Sequence, residues 1–444
     1  VIAAVPPFPP VNAFASPAAV LATSTALQSV SAGDPFRVRQ YYLGQIGWAP
    51  QTGPRRPLVA VLDTGVDASH PDLRGVVDRL RSKSFVGGSA LVDRSGHGTH
   101  MAGLIAAVGA NGRGGVGVSR ARIMSVKVAT SLGDADAASI VAGINYAVAK
   151  HARVINISLG GTEQSAAERT AINRAIRAGI VVVAAAGNGG FVGDPVEYPA
   201  ANAHVVAVGA LTRDGAHLAQ STAGPQVLLS APGESLLSTA LGGRYNTRSG
   251  TSVATALVSG AAARIVTQRP YIRAEQVVEM LRSSATDVGP PGRDDETGAG
   301  RLNLGRALSM ATPLRDRPEP DDNPWMIRTR PPALPQTTAH LSVVGTLRAW
   351  FDPSDDTRVD LRAGQRITVR AESPAGVDPD LVIWRPGAPT PTQGPGHLRE
   401  WAATVAMNPG SVETTTFTAP VGGVYTVEVR MSFGGGRYRL TVDR

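Results

Sequence analysis

From Leu58 onward the chain alternates short apolar runs with longer stretches in which apolar residues recur every three or four positions. Leu58–Leu62, Arg122–Val128, Val154–Leu159, Ile180–Ala185 and Val205–Ala210 are short and largely apolar on both faces, the pattern of strands covered on both sides. Between and after them, His97–Val108, Ala137–Lys150, Ala166–Ala178 and Arg273–Ser284 carry helical periodicity. Ser252–Gln268 is apolar almost all round, which predicts a helix running through the middle of the molecule. Strands and helices alternating in this way imply parallel β-α-β units, hence an α/β fold with helices on both faces of one sheet.

The pattern changes twice. Residues 1–34 are rich in Ala, Ser and Pro, carry one charge, and read as a lead-in or the remnant of a removed pro-region, since a basic leader is missing. Residues 312–338 hold seven prolines and read as an extended linker. Beyond it helix signals stop. Ser342–Trp350, Arg366–Ala371, Asp380–Trp384, Thr414–Thr418, Gly423–Val429 and Tyr438–Val442 predict strands separated by Gly/Pro/Asp turns, a small antiparallel β-sandwich over 339–444. The α/β segment thus spans 35–311.

Composition narrows the chemistry. With 43% apolar and 18% charged residues in 444, a large core is affordable and general disorder is excluded. There is no cysteine, which removes disulfides, thiolate metal sites and a cysteine nucleophile together. No apolar run nears the ~20 residues that cross a bilayer, so no membrane span is expected. The net charge of +8 comes from residues 35–311, whose 28 basic against 19 acidic side chains give +9; Asp34 subtracts one and 312–444 has 15 of each. That excess is spread out and nearly all arginine, which reads as a solvated surface and not as a nucleic-acid stripe.

Three segments carry candidate chemistry. Val59–Leu62 ends in Asp63-Thr64-Gly65, placing a carboxylate at the carboxyl edge of a sheet. Ser95-Gly96-His97-Gly98-Thr99-His100 opens a helix, and glycines flanking His97 let other groups come close. Ser249-Gly250-Thr251-Ser252-Val253-Ala254 puts a serine at the start of the buried helix. A serine hydroxyl becomes a nucleophile when a histidine takes its proton and a carboxylate holds that histidine. A fourth segment, Ala184–Gly189, holds Asn188 at the end of a buried strand, where its amide and the Ser252 N–H can serve a developing oxyanion.

These segments, with His70-Pro71-Asp72-Leu73 and Ser158-Leu159-Gly160-Gly161, make the chain over 35–310 resemble the subtilisin-like serine proteases, the subtilases, in their order Asp, His, Ser. The resemblance implies a three-layer α/β fold with a mainly parallel sheet. It implies Ser252 as nucleophile, His97 as general base, Asp63 as orienting carboxylate and Asn188 as oxyanion donor. It also implies substrate contacts at Gly133, Asp134, Ser158, Leu159, Gly160 and Gly187. The function expected is a secreted, monomeric endopeptidase acting on proteins or peptides, with no cofactor required. Two alternatives stand beside it: a processing protease selective for basic sites, and a silent binding protein that kept the fold. His70 and His100 read as structural, and Asp67 and Asp72 as braces of their loop. Asp72 matches a position that ligates calcium in some relatives, which allows a structural calcium, though Arg113 in the facing loop opposes it.

Two departures stand out. Where the family usually has Met-Ala-x-Pro after the nucleophile, this chain has Val253-Ala254-Thr255-Ala256; alanine suits a helix, so the helix should persist. Leu132–Ala137 carries Asp134 and Asp136 where relatives have an edge strand beside the substrate. On a strand those carboxylates would share a face, either toward the cleft, where they could favour basic residues upstream of the cut, or toward solvent. The tail resembles the pre-peptidase C-terminal sandwiches of secreted bacterial proteases, on Val359-Asp360-Leu361, Asp380-Leu381 and Gly422–Val427.

Overall fold

The structure, a computed structural model, describes residues 33–51, 53, 57–163, 165–313, 334–348, 354–374, 377–386, 402–408, 410–433 and 435–444. Most of the expected lead-in (1–32) and of the expected linker (314–333) lies outside the described residues.

A seven-stranded sheet forms the first layer. Its strands are β1 (Leu58–Asp63), β2 (Lys83–Ser84), β3 (Arg122–Lys127), β4 (Val154–Ile157), β5 (Val181–Ala185), β6 (Val206–Leu211) and β7 (Leu229–Pro232). Their order is β2-β3-β1-β4-β5-β6-β7, and every pairing is parallel. Side chains alternate across it with period two: Val59 and Val61 enter one core, Ala60 and Leu62 the other. The first core is closed by the helices His97–Ala106 and Thr251–Gln268, the second by Ala137–Ala149 and Ala166–Arg177. All but three of the 18 residues of the Thr251–Gln268 helix are buried, and it continues unbroken through Ala256. Each fully buried Val, Leu or Ile contributes about 1.5–3 kcal/mol, so these two cores hold the sheet rigidly.

From β1 the chain turns toward β3, and from β4 it turns the other way, toward β5. The carboxyl ends of β1 and β4 therefore flank a topological switch point, where a crevice opens. Several elements escape the apolar pattern: the edge strands β2 and β7, the hairpin of β8 (Leu236–Ala240) and β9 (Arg244–Arg248), and the helix Leu304–Ser309. β9 is mostly polar and partly exposed, which removes the signal that marks buried strands.

The tail forms two four-stranded antiparallel sheets packed on one core. One is ordered β10 (His340–Arg348), β17 (Gly435–Asp443), β12 (Arg366–Glu372), β15 (Val412–Thr418). The other is β11 (Ser354–Leu361), β16 (Gly423–Phe433), β13 (Asp378–Trp384), β14 (Ala402–Ala406). Val359, Val369, Leu381, Tyr425, Val427, Tyr438 and Leu440 fill the space between. β11 and β14 are absent from the sequence expectation because β11 opens on Ser-Asp-Asp and β14 is short and alanine-rich. Among the described residues no helix is long and apolar enough to cross a membrane.

Candidate active site

β1 delivers Asp63 to the switch point, where it is almost fully buried. Both carboxylate oxygens face His97 Nδ1, at 2.8 and 2.9 Å, and Oδ1 also accepts the Thr64 N–H at 2.7 Å. With Nδ1 donating to Asp63, the lone pair of neutral His97 lies on Nε2, the far side of the ring. Burial pushes His97 down, but the charge and hydrogen bond of Asp63 outweigh it and hold its pKa above the ordinary histidine value. Arg248 on β9 acts against that rise and Asp93 assists it.

Close contact sets this geometry. A Cβ at Gly98 would collide with the Gly65 carbonyl and sit 3.1 Å from Asp63 Cβ, so only glycine lets the His97 helix abut β1. That helix has no side-chain cap at Gly96. Asp93 serves instead: Oδ1 accepts the Ser95 and Gly96 N–H groups (3.0 and 2.9 Å) and the Thr64 hydroxyl (3.0 Å), and Oδ2 accepts the Thr99 N–H and hydroxyl (3.0 and 2.7 Å). One buried carboxylate thus ties the Asp63 turn to the start of the histidine helix. Sequence reading missed it; an Asp four positions ahead of a candidate histidine at a capless helix start is the signal that was there.

Ser252 stands in the first turn of its helix, where the leading N–H groups have no intrahelical partner. Its hydroxyl donates to the Ser158 carbonyl at 3.1 Å, and the Ser158 hydroxyl donates to the Ser252 carbonyl at 3.2 Å. The Ser252 segment is thereby clamped to the end of β4. Asn188, exposed at the end of β5, accepts the Thr251 N–H through Oδ1 at 3.0 Å. A backbone N–H can only donate, so the amide oxygen faces Thr251 and Nδ2 is turned outward as a donor. Gly250, at φ +126°, leaves room for this, since a Cβ there would come within 2.9 Å of Asn188 Oδ1.

Leu159 and Gly160 follow Ser158 along the crevice, half-buried and exposed, and Gly187 is buried beside Asn188. The segment expected to be a strand at Gly133 and Asp134 is instead a turn: Gly133, at φ +97°, donates to the Thr130 carbonyl, and Thr130 donates to the Asp134 carbonyl. Asp136 caps the Ala137–Ala149 helix, accepting the Ser139 N–H at 2.6 Å. The two carboxylates are therefore not paired along one strand face, because helix capping claims the second.

The remaining candidates are structural. His70 accepts the Asp72 N–H on Nδ1 and donates from Nε2 to the Arg244 carbonyl at 3.0 Å. His100 is pushed down to about 3 by burial and stays neutral. Asp67 accepts from Ser69 and Gly242. Asp72 accepts from the Asn111 amide (2.9 Å) and the Tyr245 hydroxyl (2.8 Å). Both neighbours act as donors toward Asp72 in this arrangement. Among the described residues no group of three or more His, Asp or Glu side chains is placed to hold a metal.

Residues 55–300 match the model of the subtilase family. A thermostable alkaline protease of Halalkalibacterium halodurans is 41% identical over 257 residues, 56% of this chain and 66% of that protein. Subtilisin of Bacillus pumilus is 42% identical over 236 residues, 52% of this chain and 84% of that protein. This chain spans 61% of subtilisin amylosacchariticus, from Bacillus subtilis subsp. amylosacchariticus, at 43% identity, so its matches stop short of two thirds of several relatives. The crystal structure of Apa1, a psychrophilic subtilisin-like protease from the Antarctic Pseudoalteromonas sp. AS-11, shares the fold with a TM-score of 0.52 at 23% identity, over 57% of this chain and 92% of that one. With its family model covering more than half the chain and its motifs meeting at one crevice, this protein belongs to the subtilase family.

Proposed function

We propose that the chain is a serine endopeptidase that cuts peptide bonds through an acyl-enzyme on Ser252. The observation that carries this reading is the conjunction of the Asp63–His97 pair with an Asn188 amide locked by the residue before Ser252. For the reaction the Ser252 hydroxyl leaves its hydrogen bond to the Ser158 carbonyl and gives its proton to His97 Nε2 while Oγ attacks the substrate carbonyl carbon. The carbonyl oxygen takes the negative charge and is met by Asn188 Nδ2 and the Ser252 N–H. Collapse breaks the C–N bond, and His97 hands its proton to the leaving amine. Water then repeats the sequence in reverse and frees the acid. Asp63 keeps its contact with Nδ1 and stabilises the cation that His97 becomes.

Every step uses groups of the chain itself. The reading extends to secretion, to protein or peptide substrates and to a monomeric state. Labelling by a serine-directed fluorophosphonate tests it: the wild type should take one label on Ser252, and Ser252→Ala none. A folded wild type that neither takes the label nor cleaves any peptide refutes the reading.

A further inference from the structure

Glu197 lies in the loop after β5, outside every motif discussed above. The next residue, Tyr198, is pinned to the segment that follows β4: the Gly161 N–H donates to the Tyr198 carbonyl at 2.9 Å, and the Tyr198 N–H returns to the Gly161 carbonyl at 2.7 Å. This ladder brings Glu197 between two glycines. A Cβ placed on Gly160 would sit 3.3 Å from Glu197 Oε2, and one placed on Gly187 would collide with Oε1. The carboxylate therefore occupies the gap between the Ser158–Gly160 segment and the Gly187–Asn188 segment.

Both walls of that gap belong to the reacting centre. Ser158 is hydrogen-bonded to Ser252 in both directions, and Gly187 directly precedes Asn188. A substrate carbonyl held at Ser252 with its oxygen toward Asn188 Nδ2 has its α-carbon at the mouth of the gap. The side chain of the residue just before the cut then enters between two walls that carry no side chains of their own at Gly160 and Gly187. It meets a carboxylate inside. Among the described residues no Arg, Lys or His forms an ion pair with Glu197. Burial pushes its pKa up, against the hydrogen bond of the Asn188 N–H. A half-buried carboxylate without a cation of its own is best satisfied by one that arrives with the ligand.

We infer that Glu197 is the specificity-determining residue of this site, and that it selects substrates with arginine or lysine immediately before the scissile bond. This rests on the endopeptidase reading and names its substrate class. It also moves the basic-site expectation from Asp134 and Asp136, on the surface turn and the helix cap, to a different carboxylate in the wall of the crevice.

The test compares peptides identical except for Arg, Lys or norleucine before the cut, in wild type, Glu197→Gln and Glu197→Asp, with fluorophosphonate labelling as the check on an assembled active site. Wild type should favour Arg or Lys over norleucine by roughly 10- to 100-fold in kcat/KM. Glu197→Gln should bring that ratio close to one, and Glu197→Asp should keep part of it. Arginine and norleucine peptide aldehydes, assayed as inhibitors of the wild type, give the same comparison without any variant. An enzyme that labels and cleaves but treats Arg, Lys and norleucine alike overturns the role of Glu197 and leaves the peptidase reading standing. An enzyme that neither labels nor cleaves overturns the peptidase reading itself.

Discussion

Replacing Asp93 by Asn keeps shape and removes charge, which isolates what this buried carboxylate does. It accepts five hydrogen bonds, three on Oδ1 and two on Oδ2. An asparagine has one acceptor oxygen. With that oxygen toward Thr64, Ser95 and Gly96, the amide NH₂ confronts the N–H and hydroxyl of Thr99; flipped, it confronts three donors instead of two. Thr99 is fully buried, and its hydroxyl already accepts the Asp67 N–H, so its donors have no water to turn to. Two hydrogen bonds to a charged acceptor are worth about 1.5–3 kcal/mol each, giving a loss of roughly 3–6 kcal/mol. That is a large part of the ~5–15 kcal/mol by which domains are stable. The assay is urea unfolding of Asp93→Asn in a Ser252→Ala background, which prevents self-digestion. A second readout comes from the active enzyme. Asp93 helps hold the His97 pKa up, and catalysis needs neutral His97, so the acid limb of kcat/KM should move to lower pH. A stability loss under about 1 kcal/mol with an unmoved acid limb would refute Asp93 as the hub joining the aspartate turn to the histidine helix.

Three further outcomes follow from the same geometry. Asn188→Ala should lower kcat by about 10²–10³, the size known for this donor in subtilisin, with KM little changed; a loss confined to KM would contradict an oxyanion role. Arg248→Gln should move the acid limb of kcat/KM the opposite way, to higher pH, because the guanidinium now opposes protonation of His97; a pH profile of activity checks it. A chain ending near Thr312 should keep its activity on small peptides, since the tail sandwich is built on its own core of residues from Leu334 onward; an insoluble or inactive truncation would tie the tail to the catalytic fold.

The sequence by itself determined the layers and pointed to the candidate reacting groups. Strand and helix signals are local: valine-rich runs such as Ile180–Ala185 and the all-apolar Ser252–Gln268 announce their burial without knowledge of their neighbours. Asp63, His97, Ser252 and Asn188 each sit in a short motif whose glycines betray a tight approach, so they too are readable one segment at a time. Tertiary structure decided whatever depends on two distant segments meeting. Asp136 could serve a cleft or a helix, and the helix claims it because Ser139 lies within one turn. The oxygen of Asn188 faces inward only because the Thr251 N–H arrives there from a helix far along the chain. β7 and the polar β9 exist through pairing and not through pattern. Glu197 has no motif at all. It enters the crevice because a backbone ladder between Gly161 and Tyr198 lays its side chain against two glycines, and a long-range contact of that kind leaves no period or spacing to read.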